Sequence, residues 1–141
     1  MLKVGVLGAG HLGKIHLKLL QQSEKYELVG FYDENLENGK KIAEEFGYKQ
    51  FNTIATLIHA VDVIDIVTPT LSHYKCAKVA IKSGKHVFIE KPIATTVEEA
   101  EEIIALAKEF NVKGQVGHVE RFNPAFIAVK DMIDNPMFIE T

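Results

Sequence analysis

The strongest constraint in this chain is a run of three glycines, spaced G-x-G-x-x-G, at Gly8, Gly10 and Gly13. The run closes a short β-branched segment, residues 2–7 (LKVGVL), and opens a stretch with helical spacing, residues 11–22. A strand that passes straight into a helix needs a tight turn, and glycine permits the backbone conformations of such a turn. The pattern therefore predicts a β-turn-α unit at the start of the chain.

The same alternation of short apolar runs and longer amphipathic ones continues along the chain. Strands that alternate with helices of about 10–15 residues form βαβ units with right-handed crossovers. We therefore expect an α/β fold, a doubly wound parallel sheet with helices on both faces. The predicted strands are 2–7, 27–32, 61–67, 86–89 and 112–116, with a further strand starting in 136–141, and the predicted helices are 11–22, 36–46, 52–59, 71–83, 96–110 and 124–134.

Cap residues and apolar faces refine these helices. Asn52 is expected to cap the helix 52–59, and Thr95 with Glu98 has the spacing of a capping box. Gly47 stands where a helix ends on a residue with positive φ. Apolar residues with helical spacing mark the first helix (Leu12, Ile15 and Leu19) and the second (Leu36, Ala43 and Phe46), and the fifth has one apolar stripe of Val97, Ala100, Ile103, Ile104, Ala107 and Phe110.

Composition excludes several classes of protein. Sixteen Lys and Arg against nineteen Asp and Glu give a net charge of −3, which argues against a nucleic-acid or anionic-membrane partner. One cysteine in 141 residues excludes a disulfide framework and a cysteine-built zinc site. No apolar run approaches the roughly 20 residues that span a bilayer, and the N-terminus does not resemble a signal peptide. We expect a cytoplasmic protein.

No metal site is expected from the histidines and acids. His16, His59 and His86 are scattered along the sequence. Asp62 and Asp65 stand three residues apart in one strand, which places them on opposite faces and argues against shared coordination.

The glycine turn has the spacing of a dinucleotide site. Gly8 permits the turn, Gly10 lets the backbone approach a diphosphate, and Gly13 lets the helix pack on the strand. The free N–H groups and dipole of the helix start then hold the phosphates, with His11 and Leu12 in the variable slots. The alternative is a tight turn without a ligand.

An acid is expected roughly 20 residues further on, at the end of the second strand, and Asp33 stands there. Its carboxylate accepts hydrogen bonds from ribose hydroxyls and repels a 2′-phosphate, so the sequence favours NAD over NADP. Asp33 could equally cap the following helix. Lys40 and Lys41 lie near enough to accommodate a phosphate.

Polar residues also follow the next two strands, at the edge where open α/β sheets bind ligands. Thr68-Pro69-Thr70 and His73 follow 61–67, and they suit a ribose or nicotinamide edge or form a plain loop capped by Thr70 or Ser72. Glu90-Lys91-Pro92 follows 86–89. Lys91 can bond a substrate hydroxyl and move a proton, with Glu90 as its brace; the alternative is a surface ion pair.

The last strand is followed by GHVERFNP, residues 117–124. This stretch brings an imidazole, a carboxylate, a guanidinium and an amide to the same edge. It can line a nicotinamide or a polar substrate, and Asn123 can cap the helix that Pro124 opens.

Taken together, the segments GAGHLG, GKHVFIEKP and GHVERFNP resemble the Gfo/Idh/MocA oxidoreductases over nearly the whole chain. The resemblance implies a Rossmann domain followed by an open-sheet substrate domain, and hydride exchange between a nicotinamide cofactor and a sugar, inositol or sugar-nucleotide carbinol. It implies that Lys91 lies beside the reacting carbinol, that Glu90, Thr68, Pro69, Thr70 and His73 border the cofactor, and that Arg121 faces the active-site end.

The family's members run to more than twice this length. We therefore expect residues 1–123 to form the dinucleotide-binding domain and residues 124–141 to be the connecting helix and first strand of a second domain. Apolar surface left uncovered by that domain favours a homo-oligomer.

Two other functions compete with the dehydrogenase. A non-catalytic NAD(H)-binding sensor needs the glycine turn but not Lys91. A methyltransferase uses a related sheet and turn, but it gives the EKP and GHVERFNP segments no role.

Overall fold

The computed structural model describes residues 1–132. Its centre is a parallel sheet of five strands in the order β2-β1-β3-β4-β5. The order reverses between β1 and β3, which is the topological switch point where ligands bind in such sheets. The doubly wound α/β prediction is confirmed. The strands are β1 Leu2–Leu7, β2 Tyr26–Tyr32, β3 Val63–Ile66, β4 His86–Glu90 and β5 Gly114–Gly117.

Helices cover both faces of the sheet. Helices α3, α4 and α5 pack on one face, and α1 and α2 pack on the other. No helix in residues 1–132 has the length and apolarity needed to cross a bilayer. The helices are α1 His11–Gln21, α2 Leu36–Phe46, α3 Ile54–Ala60, α4 Thr70–Lys82, α5 Val97–Glu109 and α6 Pro124–Val129, and 3₁₀ turns run over Val119–Phe122 and Lys130–Met132.

Each face has its own hydrophobic core, because successive residues of a strand point to opposite sides. The larger core joins β1, β3 and β4 to α3, α4 and α5, and the smaller joins β1 and β2 to α1 and α2. Fully buried members of the larger core include Leu7, Leu57, Ile64, Ile66 and Ile81, and those of the smaller include Val6, Leu17 and Phe31.

The apolar residues that mark α1 in the sequence are not the residues that this helix buries. Leu12, Ile15 and Leu19 are 41%, 43% and 61% exposed, whereas Gly13 and Leu17 are buried. Both rows have helical spacing, but only the row with Gly13 lets the helix approach the sheet closely. Some of the apolar residues that mark the other helices are exposed as well. They are Leu36 and Phe46 in α2 and Val97, Ile104 and Phe110 in α5.

Two predicted N-caps are one residue out of place. Thr53 rather than Asn52 caps α3, and its side chain accepts the N–H of Thr56. Thr96 rather than Thr95 caps α5 by accepting the N–H of Glu99 at 3.3 Å, while the Glu99 carboxylate accepts the N–H of Thr95 at 3.0 Å. A threonine on either side of the boundary satisfies the sequence pattern, and the backbone angles decide between them.

The predicted ends at Gly47 and Asn123 are confirmed. Gly47 ends α2 with a φ of 74°, and Asn123 caps α6 by accepting the N–H of Ala125. The helix predicted over 124–134 is α6 followed by one 3₁₀ turn over Lys130–Met132. The strand predicted to start in 136–141 lies outside the described residues.

Removing the hydroxyl of Thr96 should destabilise the domain. Thr96→Ala leaves N–H groups of the first turn of α5 without an acceptor, so the free energy of unfolding should fall by about 1 kcal/mol. Urea denaturation followed by circular dichroism measures the change. Thr96→Ser keeps the hydroxyl and should retain most of the stability; equal losses in both variants would contradict the cap.

Candidate functional site

The segments predicted to carry function all lie at one edge of the sheet, because parallel strands end on the same side. The edge is tightly connected around β1. The N–H of Gly8 donates to the carbonyl oxygen of Tyr32 at 2.8 Å, and the N–H of Val67 donates to that of Leu7 at 2.8 Å. The glycine turn is thus fixed between the ends of β2 and β3.

The three glycines differ in what surrounds them. Gly8 has a φ of 92°, and a Cβ there would stand 2.7 Å from the carbonyl oxygen of Val67. A Cβ on Gly13 would overlap the carbonyl oxygen of Gly8. A Cβ on Gly10 would meet none of the described atoms within 4 Å. Gly8 and Gly13 are therefore needed for the turn itself, whereas Gly10 faces open space.

That open space is bordered by backbone donors that have no partner among residues 1–132. The first intrahelical bond of α1 runs from the N–H of Lys14 to the carbonyl oxygen of Gly10 at 3.0 Å. The N–H groups of His11, Leu12 and Gly13 precede it, and no side chain caps this helix. Their partial positive charge and the helix dipole favour an anion, such as a diphosphate, at this position.

Asp33 stands beside this turn and holds it. One carboxylate oxygen, Oδ2, accepts the N–H of Ala9 at 2.7 Å, and the other accepts the N–H of Asn35 at 2.9 Å. Asn35, whose side chain accepts the N–H of Asn38, is the N-cap of α2, so the alternative that Asp33 caps this helix is wrong. A carboxylate has about four lone-pair sites, which leaves Asp33 with acceptor capacity for a ribose.

The loop after β3 is tied to the loop after β4 by His73. The ring is buried, with Nε2 2.8 Å from the carbonyl oxygen of Thr68 and Nδ1 2.8 Å from that of Pro92. Helix α4 begins at Thr70 with Pro69 in the cap position and no side-chain cap, so neither Thr70 nor Ser72 caps it. The main contact of His73 is with backbone oxygens of two neighbouring loops.

The loops after β4 and β5 share a cavity of about 470 Å³. Lys91 and Pro92 line it from one side, and His118, Arg121 and Phe126 line it from the other. Lys91 is exposed to this space, unlike the buried Glu90 before it. The two segments that the sequence predicts around a nicotinamide or substrate are therefore brought together.

The side chain of Glu90 lies beneath helix α1. Its Oε1 lies 3.3 Å from Nε2 of His16, and its Oε2 accepts the N–H of Lys91 at 3.1 Å. Nδ1 of the same His16 ring lies 2.8 Å from Oδ2 of Asp65. This trio was not predicted from the sequence. The helical spacing of Gly13 and His16, which places both on the same side of α1, could have indicated it.

The trio is electrostatically coupled. The hydrogen bond to Asp65, with the charges of Asp65 and Glu90, raises the pKa of His16 above its ordinary value, although burial opposes the rise. Burial raises the pKa of Asp65, and the hydrogen bond to His16 opposes that rise. The three groups behave as one charged unit inside the domain.

Comparisons with known proteins agree with this geometry. Residues 2–118 match the family model GFO_IDH_MocA, described as an oxidoreductase family with an NAD-binding Rossmann fold. The chain is 38% identical over 128 residues to UDP-N-acetylglucosamine 3-dehydrogenase of Acidithiobacillus ferrooxidans, covering 88% of this chain and 39% of that protein. A solved structure of that dehydrogenase has a TM-score of 0.86 at 35% identity, covering 93% of this chain and 43% of the other.

Two further relatives extend the comparison. Inositol 2-dehydrogenase of Rhizobium meliloti is 32% identical over 135 residues, covering 94% of this chain and 41% of that protein. GenD2 from gentamicin A biosynthesis, solved in complex with NAD, has a TM-score of 0.86 at 26% identity, covering 93% of this chain and 38% of the other. The chain spans about two fifths of the length of these relatives. It belongs to the Gfo/Idh/MocA oxidoreductase family and consists largely of that family's NAD-binding Rossmann fold.

Proposed function

We propose that this chain is the cofactor-binding part of an NAD(H)-dependent oxidoreductase that acts on a carbinol of a sugar, inositol or sugar nucleotide. NAD(H), when bound, supplies the chemistry by accepting or giving the hydride. The protein's part is to hold the dinucleotide, orient the substrate and move a proton. The substrate class rests on the family and on the names of the relatives, because the chain spans only part of their length.

The observation that most directly supports the proposal is the array of N–H groups at the start of α1, which have no partner in the described part of the chain and face the open space above Gly10. A turn that served only to reverse the chain would gain nothing from leaving these donors uncapped. In the proposed complex the N–H groups around Gly10, His11, Leu12 and Gly13 hold the diphosphate. The position of Gly10 allows the phosphates to reach the backbone.

Gly10→Ala tests this directly. The backbone angles at Gly10 suit alanine and its Cβ meets no described atom, so the free energy of unfolding should change by no more than about 1 kcal/mol. The Cβ fills the space of the diphosphate, so the Kd for NADH should rise at least about tenfold. Isothermal titration calorimetry measures binding, and thermal unfolding measures stability.

The matched control is Gly13→Ala. Its Cβ overlaps the Gly8 carbonyl oxygen, so this variant should lose about 1–3 kcal/mol of stability or more. Unchanged NADH binding by a folded Gly10→Ala variant would contradict the proposed diphosphate site at the start of α1. Failure of the wild-type chain to bind either nicotinamide dinucleotide would overturn the function as a whole.

Preference for NAD(H) over NADP(H) follows from the place of Asp33. Its carboxylate is held beside the turn by the N–H of Ala9, where the adenosine ribose lies in this binding mode. A negative charge there accepts from the ribose hydroxyls and repels a 2′-phosphate.

Asp33→Asn should therefore change selectivity. Removing the charge should lower the ratio of the Kd for NADPH to that for NADH at least about tenfold, because a hydrogen bond to a charged group contributes roughly 1.5–3 kcal/mol. Glu34→Gln removes a charge from the adjacent exposed residue and should leave the ratio unchanged. Equal effects of the two substitutions would show that general charge, and not the placed carboxylate, sets the preference.

The reacting groups are proposed to meet in the cavity between the loops that follow β4 and β5. Lys91 bonds the substrate hydroxyl and takes or gives its proton, and Arg121 faces the same cavity. Thr68, Pro69 and Thr70 border the cofactor on the other side. His73 holds the loops after β3 and β4 relative to one another. Glu90 holds the main chain at Lys91 by accepting its backbone N–H.

The role of Lys91 is tested in a form of the protein that carries a substrate domain. Lys91→Met keeps most of the unbranched side chain but removes the ammonium group, so kcat should fall about 10²- to 10⁴-fold while the Kd for NADH changes little. Lys108→Met, at an exposed position of α5, is the matched control. A kcat within a factor of a few of the wild type would show that Lys91 does not carry the proton, whereas a wild-type form without turnover would favour the non-catalytic sensor.

We also propose that the dinucleotide-binding domain ends at residue 123 and that α6 leads towards a second domain. The apolar side chains of α6 support this division, since Phe126, Ile127 and Val129 are 44%, 54% and 41% exposed. Such surfaces are normally covered by another domain or another copy, which also favours a homo-oligomer. A cytoplasmic location stays a prediction from the sequence.

A further inference from the structure

A histidine lies between two buried carboxylates in the middle of the domain. His16, on α1, contacts Asp65 of β3 at 2.8 Å and Glu90 of β4 at 3.3 Å, one through each ring nitrogen. The three side chains are only 16%, 7% and 11% exposed. Phe88 packs its ring edge-on against the imidazole at 6.0 Å between centroids. This arrangement fixes the ring from three sides.

The charges of the trio match best when the imidazole carries both protons. Ionised carboxylates can only accept hydrogen bonds, so a ring that donates from both nitrogens satisfies one oxygen of each. Oδ1 of Asp65 is buried without a partner among the described residues, so this carboxylate depends on His16 for its neutralisation. Loss of the ring proton would leave two buried acids facing each other.

The trio is connected to both halves of the proposed site. On one side, His16 lies one helical turn after Gly13, in the helix that starts at the diphosphate turn. On the other side, Glu90 uses its second oxygen to accept the N–H of Lys91 at 3.1 Å. Gly117 of β5 leaves room for this carboxylate, because a Cβ there would stand 2.8 Å from Oε1 of Glu90.

We propose that His16 is a positioning residue: through Glu90 it fixes the backbone of Lys91 relative to the helix that holds the cofactor. The inference rests on the proposed function for its catalytic meaning, but the coupling itself is a property of this chain. Protonated His16 holds Glu90 in the orientation that receives the Lys91 N–H. When the ring loses its proton, Glu90 loses its partner and the Lys91 amide changes its environment.

Other titratable groups near the two ends are few and can be told apart. Asp65 and Glu90 face His16 from β3 and β4. A second cavity, of about 580 Å³, lies beside the trio on that face of the sheet, and His86 and Lys113 line it together with His16 and Asp65. Near Lys91, the ring of His73 bonds the carbonyl oxygen of Pro92, and His118, Glu120 and Arg121 line the shared cavity. A test must therefore follow the ring of His16 separately from those of His73, His86 and His118.

The test is a pH titration of the 141-residue chain by two-dimensional NMR, following the Lys91 amide and every histidine ring. The contacts with Asp65 and Glu90 raise the pKa of His16, so its ring should titrate above the ordinary value of about 6.5. The Lys91 amide should shift with the same midpoint. In His16→Gln and in Glu90→Gln that shift should be lost, whereas His59→Gln, at an exposed site on α3, should keep it.

Each result of these measurements either supports or contradicts the positioning role of His16. A Lys91 amide that follows His73 or His118, or that does not shift with pH, overturns the proposal, and the wild-type titration alone shows this even if a variant fails to fold. In a form that turns over substrate, His16→Gln should lower kcat about 10- to 100-fold with little change in KM for NAD; an unchanged kcat overturns the positioning role. NADH titration of the wild type separates the two proposals: binding without coupling removes only this one, and coupling without binding removes only the proposed function.

Discussion

The close approach of helix α1 to strand β1 is the constraint on which the rest of the site depends. Gly13 lies so near the carbonyl oxygen of Gly8 that no side chain fits between them. This contact brings the start of the helix down onto the end of the strand. The uncapped N–H groups of α1 therefore point into the crevice at the carboxyl edge of the sheet, between the ends of β1 and β3.

The same close approach explains why a charged group lies under the helix. With Gly13 against the strand, the next inward position of α1 is His16, and the sheet beneath it presents Asp65 and Glu90. Isolated carboxylates at this depth would carry a large desolvation cost. The imidazole of His16 contacts both carboxylates and offsets part of that cost. The same contacts with Asp65 and Glu90 also hold α1 on β3 and β4.

Much of the fold and of the site's outline could be predicted from the sequence, because local patterns carry that information. Strands β1, β3 and β4 fall in short runs rich in apolar residues, and the sequence predicts Asp33, Thr68, Lys91 and His118 at strand ends. In a parallel sheet all such ends meet at one edge. Cap positions at Thr53 and Thr96 were missed by one residue, because neighbouring Asn or Thr side chains fit the same pattern.

The trio of His16, Asp65 and Glu90 could not be predicted from local patterns, because its contacts depend on the register between strands β3 and β4. Asp65 pairs with Phe88, so Glu90, two residues further along β4, lies on the same face as Asp65. The spacing of Asp62 and Asp65 concerns one strand and says nothing about a partner on the next. The apolar residues Leu12, Ile15 and Leu19 mark α1 as a helix but do not show that His16 faces the sheet.

Two histidines, His73 buried and His16 half-buried, give this Rossmann edge its internal connections. His73 links the loops after β3 and β4 through backbone oxygens, and His16 links α1 to the end of β4 through carboxylates. The glycine turn and the Lys91 segment are thus both joined to the same strand. Their separation is fixed, because neither can shift without breaking one of these polar contacts.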